Sequence, residues 1–238
     1  MIATGGKTVY GASVGILMLE ARFPRIPGDM GNAQSWPFPV LYKVVRGASP
    51  ERVVRQQAGG LIDAFIDAAR ELVADGVDGI TTNCGFLSLV QDELSKAVPV
   101  PVVTSSLQQV SMVNRLMPAG KRAGVLTISG STLTKAHLDA AGVPSETPIG
   151  TTEGLSEFTR AILDNELTLN VDAARNDNVQ AALALKDTHP DLGGIVLECT
   201  NMCPYADDIA KATGLPVWSM ISFVEWFQSG LSPRRFPI

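Results

Sequence analysis

Apolar residues recur along this chain in short continuous runs, separated by longer stretches in which they return every three or four positions. Residues 14–17, 79–82, 100–104, 123–128, 194–197 and 215–219 form runs that predict buried strands. Helical spacing fills the intervals. The clearest helix has Ser49 as N-cap, Pro50 at its first position and Glu51 in its first turn. It lines Val53, Val54, Gln57, Leu61, Phe65, Ala68 and Leu72 along one face and is expected to end at Asp75-Gly76. Strands alternating with helices predict an α/β fold with parallel sheets.

The pattern occurs twice. GITTNCGFL at residues 79–87 and GIVLECTNM at 194–202 place Cys84 and Cys199 at the same point. Each cysteine lies five residues after a glycine, Gly79 or Gly194, and 17 before a proline, Pro101 or Pro216, that introduces the next strand. Upstream, Val14-Gly15-Ile16-Leu17 resembles Ala123-Gly124-Val125-Leu126. A duplication with half-domains at 11–117 and 118–230 accounts for these matches. Two such halves, packed about a pseudo-twofold axis, would point equivalent strand ends into one cleft, and open α/β sheets bind ligands outside the carboxyl ends of their strands. One cysteine at a strand end reads as a small hydrophobe. Two at matched positions read as a functional pair.

Composition narrows the partners. A chain of 238 residues, 45% apolar and 18% charged, is long enough for a sizeable core. A net charge of -5 without a Lys/Arg block excludes the electrostatic footprint of a nucleic-acid or anionic-membrane binder. No apolar run reaches the roughly 20 residues of a membrane span, and the first ten residues lack a signal-peptide core, so a cytoplasmic protein is expected. A small molecule is the remaining partner class. Three cysteines make no disulfide framework, and neither His137 nor His189 has a ligand cluster beside it, so no metal site is predicted. Cys203, whose counterpart in the first half is Ser88, reads as packing.

A thiol acts as base or nucleophile only as thiolate, a minor form near neutrality. Gly85-Phe86 and Thr200-Asn201 are expected to open helices whose first N–H groups favour a thiolate, a substrate carboxylate or an enolate oxygen. Thr82, Asn83, Thr200 and Asn201 add neutral hydrogen-bonding groups. Two thiols on opposite faces of a carbon suit removal of an α-proton by one and delivery of a proton by the other. Thr127, Ser129 and Thr132, after the first strand of the second half, form a second candidate anion site. Residues 18–38 make a long connection expected to act as a lid, with Arg22 and Arg25 able to reach a second carboxylate and Asn32 the first.

These motifs resemble the aspartate/glutamate racemase superfamily, which includes hydantoin racemases, arylmalonate decarboxylase and maleate isomerases. Gly76-Val77-Asp78 leading to Asn83-Cys84-Gly85-Phe86 is similar to the family's first motif, and Glu198-Cys199-Thr200-Asn201-Met202-Cys203-Pro204 to its second. The resemblance implies racemisation or epimerisation of a small amino acid or related carboxylate, without pyridoxal phosphate or another cofactor, with Cys84 and Cys199 alternating as base and acid. It also implies homo-oligomers. Gly85-Phe86 replaces the Asn-Thr of glutamate racemases, Asn201 replaces their histidine, and their Asp-Ser opening is missing, which points away from glutamate. Retention of both cysteines differs from arylmalonate decarboxylase, which keeps one. Dimethylsulfoniopropionate lyases and maleate isomerases of the same superfamily are the alternative outcomes. A small-molecule binding protein with two α/β halves is the remote one.

Overall fold

The computed structural model describes residues 2–236 and contains two four-stranded parallel sheets of identical topology. In the first, β1 (Val14–Leu19), β2 (Val40–Val45), β3 (Gly79–Thr82) and β4 (Val102–Val103) lie in the order β2-β1-β3-β4. In the second, β5 (Arg122–Thr127), β6 (Ile149–Thr151), β7 (Leu192–Leu197) and β8 (Val217–Trp218) lie in the order β6-β5-β7-β8. The central strands are buried along almost their whole length, which is why they read as continuous apolar runs. The expected α/β fold with two parallel sheets is found. Among the described residues no helix is long and apolar enough to cross a membrane.

Strands β2 and β6 are absent from the expected set because they are half-exposed edges, and β6 spans only three residues. Finding β2 also explains the long connection after β1. A parallel neighbour requires a crossover of a dozen or more residues, and residues 20–39 supply it as a loop with one 3-10 turn at Ala33–Ser35 in place of a helix.

The helix expected from Ser49 to Asp75 is a second correction. Ser49 does cap its start, with Arg52 N donating to its hydroxyl at 3.3 Å. The first part is a π-helical turn at Glu51–Arg55; the chain then breaks, and α1 covers only Ile62–Asp75. Gly59 and Gly60 lie at the break, where Gln57, Ala58 and Gly60 adopt φ of 54°, 54° and 71°. Two adjacent glycines each weaken a helix by about 1 kcal/mol, and a left-handed backbone ends it. The break turns Pro50 and Val54 toward the cleft.

The remaining helices are α2 (Gln91–Ala97), α3 (Val110–Leu116), α4 (Lys135–Ala140), α5 (Phe158–Leu163), α6 (Val171–Thr188), α7 (Ala206–Thr213) and α8 (Met220–Leu231). Two of them cross between the sheets. Helix α3, which follows β4, packs against β5, and Ala123 N donates to Asn114 Oδ1 at 2.7 Å. Helix α8, which follows β8, returns to the first sheet, where Met220, Phe223 and Val224 pack on Val14, Ile16 and Val103. Residues 118–230 therefore contain the second sheet together with a cover for the first.

The repeated glycine and proline have matching physical roles. Ile80 N donates to Pro101 O at 2.9 Å and Ile195 N to Pro216 O at 3.0 Å, which sets the register of each outer strand. A Cβ on Gly79 would lie 2.5 Å from Leu231 Cδ1 and 2.7 Å from Phe227 Cζ, both on the returning helix α8. A Cβ on Gly194 would lie 2.6 Å from Trp218 Cζ3 and 3.4 Å from Met117 Sδ, just past α3. Gly194→Ala should lower stability by about 1–3 kcal/mol in urea unfolding, because the indole on the adjacent strand has to move.

Candidate active site

Strands β3 and β7 end against each other. After them, Asn83-Cys84 and Glu198-Cys199 leave the sheets and enter 3-10 turns at Gly85–Val90 and Thr200–Tyr205. Their backbones are held alike: Asn83 N donates to Leu17 O at 3.1 Å, and Glu198 N to Leu126 O at 2.8 Å. Their side chains also reach equivalent places. Asn83 Oδ1 accepts from Leu19 N at 2.7 Å, and Glu198 Oε2 accepts from Thr127 Oγ1 at 2.7 Å, with the Ile128 N–H on the same carboxyl group. Thr200 Oγ1 donates to Asn83 O at 2.6 Å and Ser106 Oγ to Leu197 O at 2.6 Å, joining the two halves. A Cβ on Gly85 would overlap both Oε1 and the carbonyl of Glu198, so this position has to be glycine.

A small cavity lies at this junction. Cys84 and Cys199 both line it, with Asn83, Phe86, Glu198, Thr200 and Asn201; Val54, Ile128, Ile162 and Leu163 form an apolar wall. The loop after β1 closes one side. Arg25 stacks over Phe23, 4.6 Å from the ring centroid, and donates through Nη1 to Asp29 Oδ1 at 2.8 Å. Asp29 Oδ2 accepts from Asn201 Nδ2 at 2.6 Å, bridging the loop to the second half. This bond also orients the amide. Asn201 Oδ1 is left facing Cys199, whose S–H donates to it at 3.6 Å.

The structure brings Cys84, Cys199, Asn83, Phe86, Thr200, Asn201 and Arg25 of the expected residues to one cavity. Others are committed elsewhere. Thr82 Oγ1 donates to Thr104 O at 2.7 Å, and Thr127 stands behind Glu198. The loop at Ser129 and Thr132 does hold an anion, but it is the chain's own Glu153: Ser129 Oγ donates to Oε1 at 2.7 Å and Ser131 N to Oε2 at 2.8 Å, while Thr132 Oγ1 donates to Ser129. Partial burial of Glu153 acts to raise its pKa, but hydrogen bonds from Ser131, Ser129 and the Gly130 N–H hold it below the usual value. Asn32 caps the 3-10 turn and donates to Arg25 O at 3.0 Å, while Arg22 lies outside the cavity wall with its N–H on Asn165 Oδ1. Sequence reasoning missed Asp29 and Glu198. The signal for Glu198 was a charged residue closing the apolar run GIVLEC, where the first copy has Asn83.

Burial dominates the thiols. It pushes Cys84 up to about 12, aided by the Glu198 carboxyl and opposed by the N–H groups of Phe86 and Leu87 and by Arg25. Cys199 is also held well above the ordinary thiol value, by burial and then Glu198, with the Asn201 N–H opposing them. The donors expected to favour thiolates are thus present but outweighed. Burial likewise raises Glu198 to about 7, despite its bonds from Thr127 and the Ile128 N–H. Cys203 packs with Met220 and Phe223, away from the cavity. His137 is buried against Phe86 with ring centroids 5.1 Å apart, and burial lowers its pKa to about 4.

Residues 65–223 match the family described as Asp/Glu/Hydantoin racemase. A dimethylsulfoniopropionate lyase from Durusdinium sp. clade D is 29% identical over 240 residues, covering 94% of this chain and 77% of its own length. Dimethylsulfoniopropionate lyase 7 of Emiliania huxleyi is 29% identical over 238 residues, with 93% and 68% covered. Among solved structures, a liganded double mutant of arylmalonate decarboxylase superposes with a TM-score of 0.62 at 16% identity, covering 93% of both chains. A glutamate racemase of Bacillus anthracis does so with a TM-score of 0.58 at 16% identity, covering 94% of this chain and 85% of its own. At these identities the structural likeness concerns the fold.

With Cys84 held at about 12, alkylation by iodoacetamide should be slow at pH 8 and should rise about tenfold per pH unit up to pH 10. Mass spectrometry of the Cys84 peptide measures this; a plateau below pH 9 contradicts the burial argument.

Proposed function

The chain belongs to the Asp/Glu/hydantoin racemase family, and on that footing we propose that it is an enzyme that removes the proton next to the carboxylate of a small substrate, without a cofactor. Cys84 and Cys199 transfer the protons. The observation that carries this reading is the meeting of two equivalent strand-end thiols at one cavity shared by both halves.

The two thiols are not equally ready to ionise. Cys84 has two backbone N–H groups and Arg25 to offset its burial. Cys199 is held as a thiol by its S–H bond to Asn201, whose amide is fixed by Asp29. Cys84 is therefore the first base. Its thiolate takes the α-proton, the electron pair passes into the carboxylate, and Cys199 gives its proton to the opposite face of the carbon. This inverts the centre and leaves a thiol at Cys84 and a thiolate at Cys199, ready for the reverse direction. The paired thiols favour this racemase or epimerase outcome.

The relatives favour a second outcome from the same carbanion. If the β-carbon bears a leaving group such as a dimethylsulfonio substituent, the electron pair forms a carbon–carbon double bond and dimethyl sulfide departs with the electrons of the broken C–S bond. Two dimethylsulfoniopropionate lyases at 29% identity over nearly the whole chain support it.

Deuterium incorporation from heavy water should be measured on amino acids, hydantoins, 2-substituted carboxylates and dimethylsulfoniopropionate. Exchange is expected with at least one class, and Cys84→Ser and Cys199→Ser should each lower it by about 10²-fold or more. Full exchange in both variants rejects the paired-thiol reading. Inverted product identifies a racemase, and an alkene with volatile sulfide identifies a lyase.

A further inference from the structure

Glu198 is fully buried, and its carboxyl oxygens have unequal surroundings. Oε2 accepts from Thr127 Oγ1, whereas Oε1 has no hydrogen-bond partner and lies against Gly85, the residue after Cys84. The group belongs to the wall of the cavity that both thiols share. A buried carboxylate oxygen without a donor is costly, and two forms of ligand would relieve it. A cationic group would pair with the ionised form; a hydrogen-bond acceptor would pair with the protonated one.

The surroundings favour the second. The titratable or charged groups facing Glu198 are Cys84 from the first half, Cys199 from its own strand end, and Arg25, already paired with Asp29, from the loop. An ionised Glu198 opposes thiolate formation at both cysteines, so it would hinder the base that the reaction requires. A protonated one does not. With the Thr127 hydroxyl donating to Oε2 and no donor on Oε1, the proton belongs on Oε1. We infer that Glu198 carries a proton on Oε1 and donates it as a hydrogen bond to a carboxylate oxygen of the substrate. In that position it stabilises the negative charge that gathers on the carboxylate when the α-proton leaves, and the proton stays on Glu198 throughout. A carboxylic acid kept neutral in an apolar site is an effective donor of this kind. The pKa of about 7 leaves the acid form well populated at neutral pH, and an anionic ligand would raise it further. The inference rests on the proton-transfer reading above for its catalytic meaning, while its binding content stands apart from turnover.

Propionate is the probe, since it offers a carboxylate and no cation. By titration calorimetry its affinity should be steady from pH 5.5 to 6.5 and fall about tenfold per unit well above pH 7, as Glu198 ionises. Cys84 and His137, at about 12 and 4, do not titrate in this range. In buffers of different ionisation enthalpy, binding to the unaltered protein at pH 8 should take up nearly one proton. Glu198→Gln, which keeps a neutral donor, should bind propionate without this pH dependence between pH 6 and 9, and Glu198→Met should bind at least tenfold more weakly at pH 6. Absence of propionate binding at pH 6, affinity that rises through pH 7, or an unchanged profile in Glu198→Gln overturns the inference. So does binding of trimethylsulfonium that strengthens above pH 7, which assigns Glu198 to a cation. If no substrate shows α-proton exchange while propionate still binds with proton uptake, the proton-transfer reading fails and the Glu198 contact stands.

Discussion

The hydrogen bond from Thr200 to the carbonyl of Asn83, 2.6 Å long, joins the ends of two strands that belong to different sheets. Because Asn83 precedes Cys84 and Thr200 follows Cys199, this single contact holds both thiol-bearing segments in fixed relation. Ser106, bound to Leu197 O, reinforces it from the first half. Backbones brought so close leave no room for a side chain at Gly85, and the space is taken by the Glu198 carboxyl. The position of the cysteines, the need for glycine and the burial of a carboxylic acid thus follow from one junction.

The junction is symmetric in backbone and asymmetric in charge. Asn83 and Glu198 donate equivalent main-chain bonds and send side chains toward the ends of equivalent strands, yet one is a neutral amide and the other an acid. A duplicated scaffold on its own would offer two thiols in like surroundings. The asymmetric residues, Glu198 with Arg25, Asp29 and Asn201, are what can give the two sulfurs different tasks.

The repeat was legible because its cause is local and occurs twice. Gly79 and Gly194 admit packed side chains, and Pro101 and Pro216 receive the first bond of an outer strand, so spacing alone marked both cysteines. The half-exposed edges β2 and β6 carry no continuous apolar run, and without β2 the crossover after β1 looked like a lid and nothing more. The helix from Ser49 was misread because apolar spacing continues through Gly59-Gly60, where the backbone does not. Contacts between distant carboxylates and hydroxyls were beyond reach. Nothing near Ser129 reveals that Glu153 fills its loop, or near Asn201 that Asp29 lies beside it.

The crossing of α3 and α8 bears on how anything enters the cavity. Parting the two halves like jaws would strip Met220, Phe223 and Val224 from the first sheet and expose the strand faces they cover, a large apolar area to wet for the sake of a small ligand. The loop after β1 keeps Phe23, Met30 and Trp36 buried, but its rim meets the second half through polar bonds, Asp29 with Asn201 and the Arg22 N–H with Asn165, groups that water can satisfy equally well. A local opening of this strap at its polar rim, with the apolar anchors left seated, is therefore cheaper than parting the hinge. Since Asp29 also orients the amide beside Cys199, each opening of that strap disarms one thiol until the loop is seated again.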